Sequence, residues 1–298
     1  MTAMGEREAL VALLRHTDAR KQWRQTALDV IDTGSALEIL RDRSADQLFD
    51  PTPELLERAQ QEIATWEAAG IRVLSFFDAE YPAQLRDVHD FPPIVFTRGS
   101  LVENDIGICL VGSRDASNAG IEFATDAAAL LAREGITVIS GLARGIDTAA
   151  HSTVLEYGGR TVAVIGTGIE KYYPAENCDL QREIEQRGLV LSQFWPEAPP
   201  AKQSFPMRNA TMSAYGTATV VVEAGEQSGA RIQARQAVEH GRPLILTRAV
   251  VRSTDWGKQF ADMAGDIYVV DDVNDMLHII REVLNRAHRL DDLLESLR

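Results

Sequence analysis

From Asp105 onward the chain alternates short β-branched apolar runs with helix-like segments, and this alternation restricts the fold more than any other feature. The runs are "IGICLVG", "ITVISG", "RTVAVIG", "GLVLSQF", "ATVVVEAG", "PLILTR" and "DIYVV", and between them lie "GIEFATDAAALLAREG", "IDTAAHSTVLEYG", "NCDLQREIEQRG" and "ARIQARQAVEHG". A strand that is apolar at nearly every residue is buried on both faces, and helices of about 10 to 15 residues between such strands supply the crossovers that parallel pairing needs. The expected class is therefore α/β, a doubly wound and mostly parallel sheet, over residues 71–272.

The flanks read differently. Over residues 1–70, apolar positions recur at spacings of three and four in "ALVALLRH", "ALDVIDTGSALEILRD" and "ELLERAQQEIATWEAAG", with breaks at Thr33-Gly34 and Pro51, so a small helical module is expected there. "IRVLSFFDAEYPAQLRDVHDFPPIVFTRG" then reads as strand, short helix and strand, joining the module to the α/β region. Residues 273–298 read as one helix appended to the sheet domain, with no winged-helix segment expected after it. The N-terminus has neither the basic start nor the long apolar run of a signal peptide, and no uncharged apolar window is long enough to span a bilayer; a cytoplasmic protein is expected. Cys109 and Cys178 have no CxxC partner and no histidine at ligand spacing, so both read as reduced and structural, and no metal or cofactor motif is present in the sequence.

In an open parallel sheet, ligands bind beyond the C-terminal ends of the strands. The residues that follow four of the predicted strands share a character: Gly112, Ser113 and Arg114; Ser140, Gly141, Arg144 and Gly145; Gly166, Thr167 and Gly168; Gly225, Ser228 and Gly229. Glycine permits close backbone approach, hydroxyls donate hydrogen bonds, and a guanidinium forks onto phosphate oxygens. Any one of these loops fits a plain strand-to-helix corner equally well; four together point to phosphate. Neither "GSRDASNAG" nor "GLARGID" has GxGxxG spacing, and no GxxxxGK[ST] occurs, so a dinucleotide or Walker site is not indicated. GxSxG and HExxH are also absent, which leaves no recognisable catalytic arrangement. Glu223 is placed either to touch a sugar or base or to cap a neighbouring helix, and His151 reads as packed within its helix. Arg144 has no assigned contact, with inward pairing to Asp147 or Glu223 as one option.

Residues 195–214, "WPEAPPAKQSFPMRNATMSA", read as a long proline-marked connection carrying Lys202, Phe205, Arg208 and Asn209. Cations interleaved with an aromatic suit single-stranded nucleic acid, because the cations follow the backbone and the ring stacks a base. Phe205 fits a second role too, as an anchor that pins the connection to the core. The chain's formal net charge is −14, from 44 acidic against 30 basic residues, so polyanion binding has to be local.

Taken in order, "YPAQL", "PPIVFTRGS", "VGSR", "SGLARGIDTAAH", "GGRTVAVIGTG", "YYPAEN", "FPMRN" and "VVEAGEQSGA" resemble the bacterial DNA-processing protein A family, also called DprA or Smf, over about Tyr81 to Leu246. The resemblance implies an extended Rossmann-like fold and a non-enzymatic, cytoplasmic, homodimeric protein that protects single-stranded DNA and hands it to the recombinase RecA during DNA uptake. By that resemblance Arg114 and Lys202 match phosphate-contacting positions and Phe205 a base-contacting aromatic. Arg208 joins them on phosphates, the glycine loops cradle the backbone, and the N-terminal module is similar in placement to a sterile-alpha-motif-like domain. The chain departs from the family pattern where Ala210 stands in place of the last arginine of FPxRNR, and where "AVVRSTDWGKQFADMAG" replaces a proline-glycine loop. DprA-like chains also resemble antitoxin or phage-defence partners of phosphoribosyltransferase-like toxins. The same branch resembles nucleotide sensors and phosphoribohydrolases, but Ile232 and Gln233 stand where their "GGxGTxxE" loop carries its glutamate.

Overall fold

The structure is a computed structural model that describes residues 5–16, 20–45 and 49–296. It divides into two compact units, Met1–Tyr81 with Pro93–Thr97, and Pro82–Pro92 with Arg98–Arg298. In the first unit, helices α1 (Glu6–Arg15), α2 (Arg20–Thr33), α3 (Ala36–Ser44) and α4 (Thr52–Ala68) precede strand β1 (Arg72–Ser75), which pairs antiparallel with β2 (Ile94–Gly99). Strand β1 and residues 94–97 of β2 thus fall in the same unit as the helices. Leu10, Leu14, Leu40, Ile63 and Trp66 are buried in this unit. Glu6 accepts hydrogen bonds from the Ala36 and Leu37 amides, placing an anion at the positive end of α3.

The second unit holds β3 (Gly107–Val111), α5 (Asn118–Arg133), β4 (Thr137–Ser140), α6 (Ile146–Glu156), β5 (Thr161–Val164), α7 (Cys178–Arg187), β6 (Leu189–Ser192), α8 (Ser204–Tyr215), β7 (Ala218–Val221), α9 (Gly229–Glu239) and β8 (Leu244–Thr247). It continues through α10 (Arg248–Ser253), α11 (Asp255–Ala261), β9 (Ile267–Val270) and α12 (Val273–Ser296). All seven predicted runs are strands. They pair in parallel in the order β6-β5-β4-β3-β7-β8-β9, with Ile108 of β3 opposite Val138 on one side and Ala218 on the other. Strands β3 to β8 are buried at every residue, as their unbroken apolar pattern requires.

Two expectations are corrected here. Residues 204–215 form helix α8 rather than a connection: Pro206 sits in the first turn, where a missing N–H costs nothing. The last helix is no mere appendage, because Met276, Ile280 and Val283 of α12 pack into the same core as Leu131, Val220 and Ile245. Residues 297 and 298 of that expected helix lie outside the described residues. Cys109 is buried in β3, and burial pushes its thiol up to about 12, so it is inert at neutral pH. No helix among the described residues is long and apolar enough to cross a membrane.

From β3 the chain winds outward through β4, β5 and β6, then returns to the opposite side of β3 as β7 and winds outward again. The crevice between β3 and β7 is therefore a topological switch point, where an α/β sheet presents its binding cleft.

Candidate nucleic-acid interface

Two clefts open at the C-terminal ends of the strands in the second unit. One, of about 390 Å³, is lined by Arg114, Gly141, Arg144, Gly166, Tyr172, Tyr173, Glu176, Phe205 and Arg208. The other, of about 470 Å³, lies at the switch point. Arg114 and Phe205 line both and so stand between them, with the Arg114 guanidinium 5.5 Å from the centre of the Phe205 ring. That pairing is a cation–π contact. On its other neighbours, Phe205 lies 5.7 Å from the Tyr173 ring and covers Gly166, where an added Cβ would come within 2.7 Å of the ring. Gly166 is thus a glycine because an aromatic occupies the space of its side chain.

The loop after β4 is a tight corner already supplied with an anion. Asp147, buried at the start of α6, accepts hydrogen bonds from the amides of Gly141 and Ala143, each at 3.2 Å. The amides expected to cradle an external phosphate there are spent on the chain's own carboxylate. Ser140 is buried as well, and its hydroxyl donates to the Leu110 carbonyl. Gly145 has a φ of +73°, and a Cβ on it would meet the Ser113 carbonyl oxygen at 2.3 Å, because the loops after β3 and β4 touch. The Ile146 amide donates to that same carbonyl. Leu142 takes a left-handed φ of 58°, and its carbonyl accepts from the Asn177 carboxamide, which also bonds Thr148. Asn177 is not among the residues singled out from the sequence, although an asparagine after the proline-marked turn of "YYPAEN" is a signal for such a loop-pinning role.

Arg208 differs most from expectation. It is 6% exposed inside α8, and its Nη1 donates to the carbonyls of Gly141 and Val164 while Nε donates to Asn209 Oδ1. Its guanidinium therefore ties the loop after β4 to the end of β5, although it still borders both clefts. Asn209 is equally committed, since its Nδ2 donates to the Gly229 carbonyl. Burial lowers the Arg208 pKa and Asp147 opposes that shift; burial raises the Asp147 pKa, with Arg208 acting against it. His151 is fully buried, with Nδ1 2.6 Å from the Thr161 hydroxyl, and burial together with Arg208 brings its pKa down to about 3. A neutral, enclosed imidazole is no acid–base catalyst for either cleft.

Glu223 caps a helix. Its carboxylate accepts from the Ser117 amide at 3.0 Å and from the Ser117 hydroxyl, while Ser117 itself caps α5 through the Gly120 amide. Glu223→Ala should lower stability by about 1 kcal/mol, a melting shift of roughly 2–4 °C, without changing affinity for an oligonucleotide. A loss of affinity with unchanged melting would return Glu223 to a ligand-contacting role. Ser228 is likewise a helix cap, accepting from the Ala230 amide, and Gly112 packs against Ile146 and the Glu223 backbone.

What remains exposed is a short list of cations and rings. Arg114 and Lys202 are exposed and form no ion pair among the described residues. Arg144 points outward rather than toward Asp147 or Glu223, and pairs with Asp115 at 3.7 Å and Glu176 at 3.5 Å. Tyr173 is 41% exposed and Phe205 half-buried. Ser113 and Gly229 line the switch-point cleft.

Comparison with known proteins bears on this arrangement. Residues 72–279 match the family described as DNA recombination-mediator protein A. The DNA processing protein DprA of Bacillus subtilis is 32% identical over 202 residues, which cover 67% of this chain and 66% of that protein. DprA of Streptococcus pneumoniae is 39% identical over 172 residues, 57% of this chain and 61% of that protein. The matching segment thus spans less than two thirds of the length of either relative. The X-ray structure of DprA from Streptococcus pneumoniae has a TM-score of 0.72 at 28% identity, covering 91% of this chain and 97% of that one. DprA of Helicobacter pylori, solved in a study of its single-stranded DNA binding mode, shares the fold at a TM-score of 0.63 and 22% identity, covering 71% of this chain and 96% of that one.

Proposed function

The chain belongs to the DNA recombination-mediator protein A family, and from that premise we propose that it binds single-stranded DNA at the aromatic cleft, with Arg114 and Lys202 on phosphates and Phe205 beside a base. The observation that carries the reading is the Arg114–Phe205 pair, a cation 5.5 Å from a ring that Tyr173 extends at 5.7 Å. A backbone-following cation beside a stacking platform is what an unpaired strand requires. A duplex keeps its base faces stacked inside and offers the rings nothing. The Helicobacter pylori relative is described by its single-stranded DNA binding mode, which supports the same ligand here. Family likeness extends the proposal to a cytoplasmic homodimer that protects the strand and passes it to RecA, without catalysis of its own.

The binding has to overcome a molecule of net charge −14, so it should be local and sensitive to salt. Fluorescence anisotropy with labelled oligo-dT should give a log–log salt slope of about −1.4, from two phosphates at about −0.7 each, and a much weaker response to the same length of duplex. Equal affinity for duplex, or affinity indifferent to salt, would remove the proposal.

A further inference from the structure

The strand reading leaves Arg144 without a task, although it stands in the middle of the binding face. Strands β5, β4 and β3 are neighbours in the sheet, and Arg144 is on the loop after the central one. Its side chain reaches both flanking loops: Nη2 lies 3.7 Å from Asp115 Oδ1 after β3, and Nε lies 3.5 Å from Glu176 Oε1 after β5. The backbone beneath is fixed. Asn177 donates to the Leu142 and Ala143 carbonyls, Asp147 accepts from the Gly141 and Ala143 amides, and Gly145 packs against the Ser113 and Arg114 carbonyls. The side chain above it is held loosely. Both separations exceed the roughly 2.7–2.9 Å of a charge-assisted hydrogen bond, and the guanidinium and both carboxylates are more than half exposed. Exposed pairs of this kind are weak and readily exchanged. Among the described residues lining the aromatic cleft, Glu176 is the sole carboxylate.

Given strand binding in the aromatic cleft, on which this step rests, we infer that Asp115 and Glu176 set the strength of that binding by competing with the strand for Arg144. Arg144 is then a further phosphate cation, delivered only in exchange for its two carboxylates. Arg114 and Arg144 line the same cleft, so a strand anchored on Arg114 presents a neighbouring phosphate to Arg144 at high effective concentration. One phosphodiester can then displace two long, solvent-exposed contacts. Arg208 cannot take this part, because its Nη1 is committed to the Gly141 and Val164 carbonyls. The freed carboxylates stay beside the phosphate that displaced them and repel it, so the net gain from Arg144 is small. The exchange is also hidden from a salt titration. The counterion leaving the phosphate is offset by cations gathering on the freed carboxylates, whereas an unpaired cation such as Arg114 contributes about −0.7 to the slope. A slope near −1.4 thus counts the two unpaired cations, Arg114 and Lys202, and misses the exchanged one.

The test compares the whole chain with its Asp115→Asn/Glu176→Gln variant, which keeps the shape of both side chains and removes the competition. By fluorescence anisotropy, oligo-dT affinity at low salt should rise about 10-fold and the salt slope should steepen by about 0.7, to about −2.1. Either single substitution should give part of the gain, and the melting temperature should stay near that of wild type because both groups are exposed. Adding Arg144→Ala to the pair should return the slope to about −1.4, even though the triple variant remains more positive than wild type. That reversal separates exchange at Arg144 from a general gain in positive potential. A double variant that keeps the wild-type slope, or whose added slope survives Arg144→Ala, would overturn the inference and leave strand binding itself intact. Failure of the wild-type protein to bind oligo-dT at all would remove the strand reading, and this step with it.

Discussion

Arg208→Met should lower the melting temperature of the α/β unit by roughly 6–15 °C, from a loss of about 3–5 kcal/mol, and should do so with no ligand present. The reason is what the guanidinium holds. Its Nη1 bridges the carbonyl after β4 and the last carbonyl of β5, Gly141 and Val164, and its charge is the main one offsetting buried Asp147. Methionine fills much of the volume but leaves both carbonyls short of a donor and the carboxylate without its cation. Desolvation then acts on Asp147 with only hydrogen bonds, those of the Ala143 and Gly141 amides among them, against it, so its folded pKa should rise further above its unfolded value. A carboxylate shifted upward contributes stability below its unfolded pKa and loses that contribution as pH rises through the folded one. Relative to wild type, the variant should therefore recover stability as pH falls toward the unfolded Asp value of about 4. Adding Asp147→Asn to Arg208→Met should recover part of the loss at neutral pH, with the shortfall from additivity measuring the pair's coupling. If Arg208→Met melts like wild type and only DNA affinity falls, Arg208 belongs on a phosphate and the structural role is wrong.

A buried arginine such as Arg208 carries no mark in the sequence that separates it from an exposed one such as Arg114. The sheet was legible because each strand is apolar along its whole length, a pattern that only two-sided burial explains. The stripe of α12 was legible in principle too, with Met276, Ile280 and Val283 at helical spacing, but its position late in an acidic stretch made it read as an appendage. Helix α8 was not legible, since Pro206 reads as a breaker unless the first turn is known to start at Ser204. Arg208, Asn209 and Gln233 are buried polar residues in helices, which periodicity counts as surface. Glycine marks close approach after β3, β4 and β5, by the chain itself: Ile146 at Gly112, Ser113 backbone at Gly145 and the Phe205 ring at Gly166; after β7 nothing lies within 4 Å of a Cβ on Gly225 or Gly229. Residue type gives the capacity to bind an anion; only the fold shows that Asp147 already takes the one offered after β4.

Arg114→Ala should behave in the opposite way to Arg208→Met. Arg114 is exposed and makes no ion pair among the described residues, so its removal should shift melting by no more than about 1–2 °C. Oligo-dT affinity should fall about 10- to 100-fold, and the salt slope should become shallower by about 0.7, the signature of one lost phosphate contact. Phe205→Ala should cost about 1–3 kcal/mol of binding with little change in slope, because a stacked base releases no counterion. The two losses should not add. The guanidinium sits 5.5 Å from the ring centre and helps fix the ring that stacks the base, so each single variant already removes part of what the other contributes. A double variant that loses the full sum would mean the arginine and the phenylalanine act on separate parts of the ligand. A slope unchanged in Arg114→Ala would remove Arg114 from the phosphate track and leave Lys202 as its principal cation.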